Sequence, residues 1–224
     1  MKLQAFAASI AAFTVLATSA NAVELITNGG FDAGFSGWTL FTTDEGRIGS
    51  GVGVPGVTSF DVTGLGAENA ARLQVGQTPV GAGQQGGGLR QTITATAGSL
   101  TFFADIAAQE TNLTGNGTAG LFSVLLDGVA LDTFDFGEIG IGAIERGSLS
   151  FNTAVTAGDH TLEILITRPF RGGGPGGVTP LQFVTNVSAT QTGGAVPEPS
   201  TWGLLIVGFA AAGAGLRARR AHTA

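Results

Sequence analysis

Between residues 23 and 190 the sequence consists of short runs in which apolar and polar residues alternate, and glycine separates most of these runs. No run repeats apolar residues at i, i+3, i+4 and i+7 for long enough to form a helix. Alternation over a few residues is instead typical of strands with one buried face. Nine or ten such strands predict an all-β domain, built as a two-sheet β-sandwich of the jelly-roll type.

Nine stretches have the strand pattern, and the turns between them carry the stronger signal. The stretches are 38–41, 70–75, 89–95, 99–106, 120–126, 129–136, 148–153, 160–167 and 181–190. Asp127-Gly128 predicts a tight hairpin, because both central residues of a type I′ turn need positive φ. The glycine-rich segments 81–88 and 171–177 lack the Gly-Lys-Ser/Thr of a phosphate-binding loop and are interpreted as surface loops.

Composition excludes several kinds of protein. The 224 residues include no cysteine, which excludes disulfides, thiolate metal sites and a thiol nucleophile. Residues 23–196 contain 6 Arg, no Lys and 15 Asp or Glu, a net charge of −9. A domain with this charge is not expected to bind the phosphates of a nucleic acid. We therefore expect an acidic, glycine-rich β domain with no nucleic-acid partner.

The first 22 residues are typical of an export signal. Lys2 supplies a positive charge, residues 3–16 are almost entirely apolar, and Ala20-Asn21-Ala22 offers the small side chains that signal peptidase accepts. We predict a signal peptide at 1–22, with Ala20 and Ala22 forming the cleavage site and the β-sandwich occupying 23–190. An uncleaved amphipathic helix is the alternative interpretation.

The C-terminal residues have the chemistry of a short membrane segment. As a helix, residues 202–216 would cover about 22 Å, whereas the hydrocarbon core of a bilayer is about 30 Å thick. Interfacial and basic side chains extend this reach, and the basic end is expected to lie in the cytoplasm. These side chains are Trp202, Arg217, Arg219 and Arg220. The sequence thus predicts a linker at 191–201, a transmembrane helix at 202–216 and a basic tail at 217–224.

The segment from Pro197 to Arg220 resembles a PEP-CTERM sorting signal. The shared features are Pro197-Glu198-Pro199, Trp202 three residues later, a Gly-Phe pair in the apolar run and the terminal arginines. The resemblance implies export through the inner membrane of a Gram-negative bacterium, transient anchoring and processing by an exosortase-type membrane enzyme. The expected destination is the cell envelope, the cell surface or the extracellular matrix. A permanent single-pass anchor is the alternative.

The start of the domain resembles the jelly-roll, galactose-binding-like and carbohydrate-binding-module domains. The resemblance rests on Asn28-Gly29-Gly30-Phe31-Asp32 and the following Gly37-Trp38. It implies a calcium ion near Asp32 and an Asp of the last strand, but that second position falls near Thr185. Because one carboxylate fewer weakens a site for a hard cation, we predict no metal and no cofactor. Sugar binding would depend on phenylalanine, because there is no tyrosine and Trp38 is expected in the core.

Catalytic residues are poorly represented, and none is assigned. His160 begins an alternating strand, which favours a solvent-facing residue over a general base. Asp132, Asp135 and Glu138 form an acidic cluster, but alternation puts Asp132 and Asp135 on opposite faces, which favours a solvated acidic surface over paired glycosidase carboxylates. We therefore predict a non-catalytic protein of the envelope or extracellular matrix. The alternatives are a carbohydrate-binding module with extracellular polysaccharide as its partner, and a hydrolase that uses His160 or Asp135.

Overall fold

The computed structural model describes residues 22–49, 53–77, 83–111, 117–169, 180–193, 203 and 205–212. Fifteen strands occur within these ranges. They are β1 Ala22–Glu24, β2 Thr39–Thr42, β3 Gly46–Arg47, β4 Gly56–Phe60, β5 Glu68–Leu73, β6 Gly76–Gln77, β7 Gln84–Ala95, β8 Gly98–Gln109, β9 Gly117–Thr118, β10 Leu121–Leu126, β11 Val129–Asp135, β12 Glu138–Ile139, β13 Ile144–Val155, β14 Gly158–Pro169 and β15 Leu181–Gly193.

Most of these strands belong to two large sheets. Sheet A has the order β13-β8-β15-β5-β4, and β1 also pairs with β15. Sheet B has the order β11-β10-β14-β7-β2. Two short pairs, β12-β9 and β3-β6, accompany them. The prediction of a mainly β domain with its strands in two sheets is therefore confirmed.

The core is formed by the inward-facing residues of both sheets. On β8 the buried side chains include Leu100 and Phe102, and on β14 they include Leu162, Ile164 and Ile166. These residues alternate with more exposed ones along each strand, as the sequence pattern predicts. Burial of each such side chain contributes about 1.5–3 kcal/mol to folding, so the domain needs no disulfide to acquire a core.

Several strands are longer than the sequence predicts, and one interpretation is wrong. Each of the nine predicted stretches overlaps a strand, and four of them extend one or two residues beyond it. However, β7 begins at Gln84, so residues 84–88 are not a surface loop. The carbonyl oxygens of Ile164 and Ile166 occupy the space that a Cβ atom would need at Gly88 and Gly86. Glycine therefore allows β7 and β14 to pair closely there. Residues 78–82 and 170–179 lie outside the described residues.

The predicted Asp127-Gly128 hairpin is confirmed. Asp127 has φ 52° and Gly128 has φ 79°, so both central residues are in the left-handed region. This turn joins β10 to β11. Its twist matches that of the strands it connects, which explains why the Asp-Gly pair is a reliable signal.

The two ends of the described sandwich differ, and we call the first of them the tail pole. Gly193, Gly98 and Val155 lie in one row across β15, β8 and β13. Ala22 of β1 pairs with Thr192, next to this row. The first and last strands of the domain therefore reach the same end of the sandwich.

The opposite end is called the loop pole. In sheet A, Leu181, Gln109 and Ile144 lie in one row across β15, β8 and β13. In sheet B, Gln84 pairs with Pro169 at this end. The long strands β7, β8, β13 and β14 run between the two poles.

Candidate functional site

A depression of about 200 Å³ opens at the loop pole. Five of the residues that line it have polar side chains: Gln84, Thr118, Asp135, Glu138 and Thr167. The Thr167 hydroxyl donates to Oε1 of Gln84 over 3.2 Å, and Oδ1 of Asp135 accepts from the Gly137 amide over 2.9 Å. The depression thus combines two carboxylates with hydroxyl and amide groups, which suits a ligand that donates hydrogen bonds.

The acidic cluster of the sequence is divided in the structure. Asp135 and Glu138 line the depression, whereas Oδ2 of Asp132 accepts from the Ser150 amide of β13 over 2.8 Å. Asp132 therefore satisfies a backbone group between the sheets and faces away from the depression.

His160 does not belong to the depression. It lies near the start of β14, whereas Thr167 of the depression lies seven residues further along the same strand. At about 3.3 Å per residue the two positions are about 23 Å apart. His160 and Asp135 therefore cannot act on the same bond, and the structure does not support an active site made of both.

His160 is instead part of a hydrogen-bonded pair at the tail pole. Its Nδ1 lies 2.6 Å from Oδ2 of Asp127, and its Nε2 lies 3.0 Å from the Thr156 carbonyl oxygen. Because both partners accept hydrogen bonds, the imidazolium form of the ring, which has two N–H donors, satisfies both contacts. The hydrogen bond to Asp127 raises the pKa of His160, and the same bond lowers the pKa of Asp127.

The prediction that His160 faces solvent is wrong. Its side chain is 11% exposed, because the ring lies between Asp127 and the turn that contains Thr156. Both ring nitrogens are engaged in hydrogen bonds to the protein, so the ring connects Asp127 to the turn that contains Thr156. Its role in the described part of the chain is to fasten the β10–β11 hairpin to β14.

Among the described residues of the sandwich, one aromatic side chain is exposed on the outer face of a sheet. Phe103, on the outer face of sheet A, is 41% exposed. Its register partners are Ser150 of β13 and Ser188 of β15, and Thr101 and Asp105 lie on the same face of β8. We call these five residues the Phe103 platform. It places one aromatic face among short polar side chains at cross-strand distances of about 5 Å.

Two polar residues of the Phe103 platform are held in place by neighbouring side-chain amides, and the Ser188 hydroxyl donates to Oε2 of Glu24 over 2.6 Å. Thr101 accepts from Nδ2 of Asn152 over 2.7 Å, which leaves its hydroxyl proton to donate. Asp105 accepts from Nδ2 of Asn186 over 3.1 Å through one of its two carboxylate oxygens. The platform therefore presents both donors and acceptors around the ring.

Sequence reasoning missed Phe103 as a functional candidate, although a signal was present. Phe102 and Phe103 are adjacent in an alternating strand, so one of the two must face outward. In the structure Phe102 is 1% exposed and Phe103 is 41% exposed. Trp38 lies in the core as predicted, stacked on Phe31 with 5.6 Å between ring centroids.

The two positions that the resemblance associates with calcium do come together. Oδ1 of Asp32 accepts from Nδ2 of Asn69 over 2.8 Å, and the Thr185 hydroxyl donates to the Asn69 carbonyl over 2.7 Å. Within the described residues no group of three or more His, Cys, Asp or Glu is placed to hold a metal ion. One carboxylate, one amide and one hydroxyl do not fit calcium, a hard cation that prefers six to eight oxygen ligands.

The predicted sorting and cleavage residues lie mostly outside the described ranges. This holds for Ala20, Pro197, Glu198, Pro199, Trp202, Arg217, Arg219 and Arg220. Ala22 is described, and it is the first residue of β1. Cleavage after Ala22 would leave Val23 and Glu24 in that strand. Glu24 is fixed to β15, since its Oε1 accepts from the Ala189 amide over 2.8 Å.

Part of the tail is described as a helix. Residues 205–212 are helical, and Leu205, Ile206, Val207 and Phe209 are all at least 50% exposed. In the described part of the chain, no helix has both the length and the apolar character needed to span a bilayer. The predicted transmembrane helix over 202–216 is therefore not confirmed.

The C-terminal tail of the chain matches a known family model. Residues 195–220 match the family model of the PEP-CTERM protein-sorting motif. The chain carries a PEP-CTERM sorting motif. This confirms the resemblance read from Pro197 to Arg220. Among curated proteins, none matches the sequence of the chain.

Solved structures that are similar to the chain include carbohydrate-binding modules. One is TmCBM61 in complex with β-1,4-galactotriose, with 11% identity, a TM-score of 0.46, and coverage of 75% of this chain and 99% of that chain. Another is the CBM22-1 xylan-binding domain of Xyn10C from Paenibacillus barcinonensis, with 11% identity, a TM-score of 0.40, and coverage of 80% and 100%.

Proposed function

We propose that this chain is an exported, non-catalytic protein of the cell envelope or extracellular matrix, delivered by its PEP-CTERM motif. In this proposal signal peptidase removes residues 1–22, and an exosortase-type enzyme recognises Pro197-Glu198-Pro199 and the segment after it. The match at 195–220 is the single observation that carries the proposal. The basic end of the tail is retained in the cytoplasm until the tail is processed.

The arrangement of polar side chains supports a non-catalytic role. His160 has both nitrogens engaged in structural hydrogen bonds. Asp135 and Glu138 line the depression at the other pole of the sandwich from it. His160 and this pair of carboxylates are therefore not brought together at one site.

The sorting proposal is tested by mass spectrometry of the protein from its native host. We expect an N-terminal peptide that begins at Val23 and a C-terminal peptide that ends between Pro197 and Thr201. Intact tail peptides that end at Ala224 would favour a permanent anchor. A matched variant, Glu198→Gln, keeps the apolar segment and the arginines but removes the charge of the motif, and it should accumulate unprocessed.

A second candidate function is glycan binding, and the Phe103 platform favours it. The face of a pyranose ring carries C–H groups that pack on an aromatic face, and its equatorial hydroxyls then lie beside the ring. In the platform those hydroxyls would meet Ser150, Ser188, Thr101 and Asp105. Because the net charge of the domain is negative, we expect a neutral glycan rather than an anionic one.

Affinity electrophoresis of the mature protein in gels that contain xylan or galactan tests this second function. Retardation by either polymer that is lost in Phe103→Ala would support it. Leu65→Ala is the matched control, because Leu65 is 92% exposed and lies outside the platform. Equal retardation of Phe103→Ala and the parent chain would remove the platform as the binding site.

A further inference from the structure

The predicted cleavage bond between Ala22 and Val23 lies inside a strand of the folded domain. In β1, Ala22 pairs with Thr192 of β15, and Val23 pairs with Gln191. The two residues that signal peptidase would separate are thus consecutive members of one antiparallel ladder. Because a peptidase must bind the backbone on both sides of the bond that it cuts, β1 has to leave β15 before this bond is cut in the folded domain.

The side chain of Glu24 fastens β1 to β15. Its Oε1 accepts from the Ala189 amide over 2.8 Å, and its Oε2 accepts from the Ser188 hydroxyl over 2.6 Å. The same Oε1 accepts from the Ile26 amide over 2.8 Å, and the Leu25 amide donates to the Ala189 carbonyl oxygen over 2.9 Å. Hydrogen bonds to a charged group are stronger than neutral ones, so these contacts oppose the separation of β1 from β15.

The strand that receives β1 comes last in the chain. Ser188 follows Glu24 by 164 residues, and β15 is the final strand of the described sandwich. Beyond Val184, where its pairing with β5 ends, the edge of β15 that faces away from β8 has β1 as its strand partner within the described residues. The docking position for β1 therefore does not exist until residues 188–192 have been exported and have joined the sheet.

We propose that the docking of β1 on β15 closes the signal-peptide cleavage site, so that signal peptidase cuts before residues 188–192 join the sheet. This inference rests on the proposed sorting function, in which the tail is held in the membrane after the domain has been exported. Because the motif at 195–220 closely follows Gly193, β15 is already outside the membrane when the tail is held there. N-terminal cleavage therefore precedes processing of the tail, and the contacts of Glu24 set this order.

Cleavage of the full-length precursor by purified signal peptidase in detergent tests this proposal. The precursor is diluted from urea, and the peptidase is added either at once, before the sandwich has folded, or after tryptophan fluorescence has reached its native value. We expect the folded precursor to be cut at least about tenfold more slowly, because the contacts of Glu24 must first be broken. N-terminal sequencing identifies the product that begins at Val23.

Three variants connect this difference in rate to the docking of β1. Glu24→Ala removes the acceptors of the Ala189 and Ser188 bonds and should bring the two rates to within about threefold of each other. Ser188→Ala removes one of those donors and should give an intermediate difference, which keeps the test valid if Glu24→Ala does not fold. Val23→Ala is the matched control, because it changes the residue next to the cleavage bond but keeps Glu24 and the backbone pairing, and it should retain the full difference.

Two kinds of result would overturn the proposal, and they are distinguishable. Equal rates for the parent precursor before and after folding, with a product that begins at Val23, would show that the fold does not close the site and would leave the signal peptide in place. An undiminished difference in both folded Glu24→Ala and Ser188→Ala would also overturn it. If no product begins at Val23 in either arm, the predicted signal peptide is refuted, and the inference fails with it.

Discussion

The contact between His160 and Asp127 makes the stability of the tail pole depend on pH. The informative perturbation is Asp127→Asn, which keeps the size of the side chain but removes its charge. Asn also tolerates the φ of 52° at this position, so the hairpin backbone is not strained by the change. Any loss of stability then reports the hydrogen bonds of the Asp127 side chain to His160 and Thr161 rather than the turn.

The expected magnitude follows from the contacts that change. Asp127 accepts from His160 over 2.6 Å and from the Thr161 amide over 2.8 Å, and an asparagine has one acceptor oxygen for the two donors. A hydrogen bond to a charged group contributes about 1.5–3 kcal/mol, and an exposed ion pair contributes less than about 1 kcal/mol. Because the Asp127 side chain is 51% exposed, we expect a loss of about 1–2 kcal/mol near pH 5.5.

The contribution of the His160–Asp127 pair to stability is lost at both high and low pH. Folding raises the pKa of His160, so its contribution is complete below about pH 6.5, the pKa of the unfolded state, and is lost as the pH rises through the higher folded value. Folding lowers the pKa of Asp127, so its contribution is present above about pH 3.9 and is lost as the pH falls through the lower folded value. The pair contributes most between these two limits.

Urea denaturation at several pH values, followed by tryptophan fluorescence, measures this contribution. The difference in unfolding free energy between the parent chain and Asp127→Asn should be largest near pH 5.5 and should shrink toward pH 9. Asp135→Asn is the matched control, because that carboxylate accepts from the Gly137 amide and lies at the other pole of the sandwich from His160. A difference that stays constant from pH 5.5 to pH 9 would refute the assignment of an imidazolium.

Three further predictions concern the sandwich. Asn28→Ala should cost about 3–4 kcal/mol, because the Asn28 side chain makes three hydrogen bonds within the opening loop and the residue has φ 58°; chemical denaturation measures this. Phe102→Ala should cost about 3–5 kcal/mol and Phe103→Ala less than about 1 kcal/mol, and the reverse order would show that the register of β8 is shifted by one residue. Thr185→Asp places a second carboxylate near Asp32, so calcium should raise the Tm of that variant and leave the Tm of the parent chain unchanged.

Only the structure shows how the two positions that the resemblance associates with calcium are placed relative to each other. The sequence placed Asp32 and Thr185 far apart in the chain, and the fold joins both of them to Asn69. Where a second carboxylate would be needed for calcium, this chain has the Thr185 hydroxyl. Hydrogen bonds through Asn69 therefore connect the opening loop to the last strand. This arrangement depends on strand pairing, because Asn69 and Thr185 are more than a hundred positions apart in the sequence.

The local chemistry of this chain could be read directly from its sequence. Alternation predicts the strands because residues on a strand point to opposite faces, and Asp127-Gly128 predicts its turn because that turn needs two positive φ values. The PEP-CTERM motif is likewise a property of contiguous residues. None of these features depends on which strands are neighbours.

Only the tertiary structure determines which side chains face outward and where the two ends of the domain lie. Alternation requires that Phe102 or Phe103 faces outward, but only the pairing of β8 with β13 and β15 selects Phe103, since a shift of one residue would exchange the two. In the same way, the pairing of Ala22 with Thr192 brings both ends of the domain to one pole. Such long-range pairings depend on burial across the whole sandwich, which no local pattern contains.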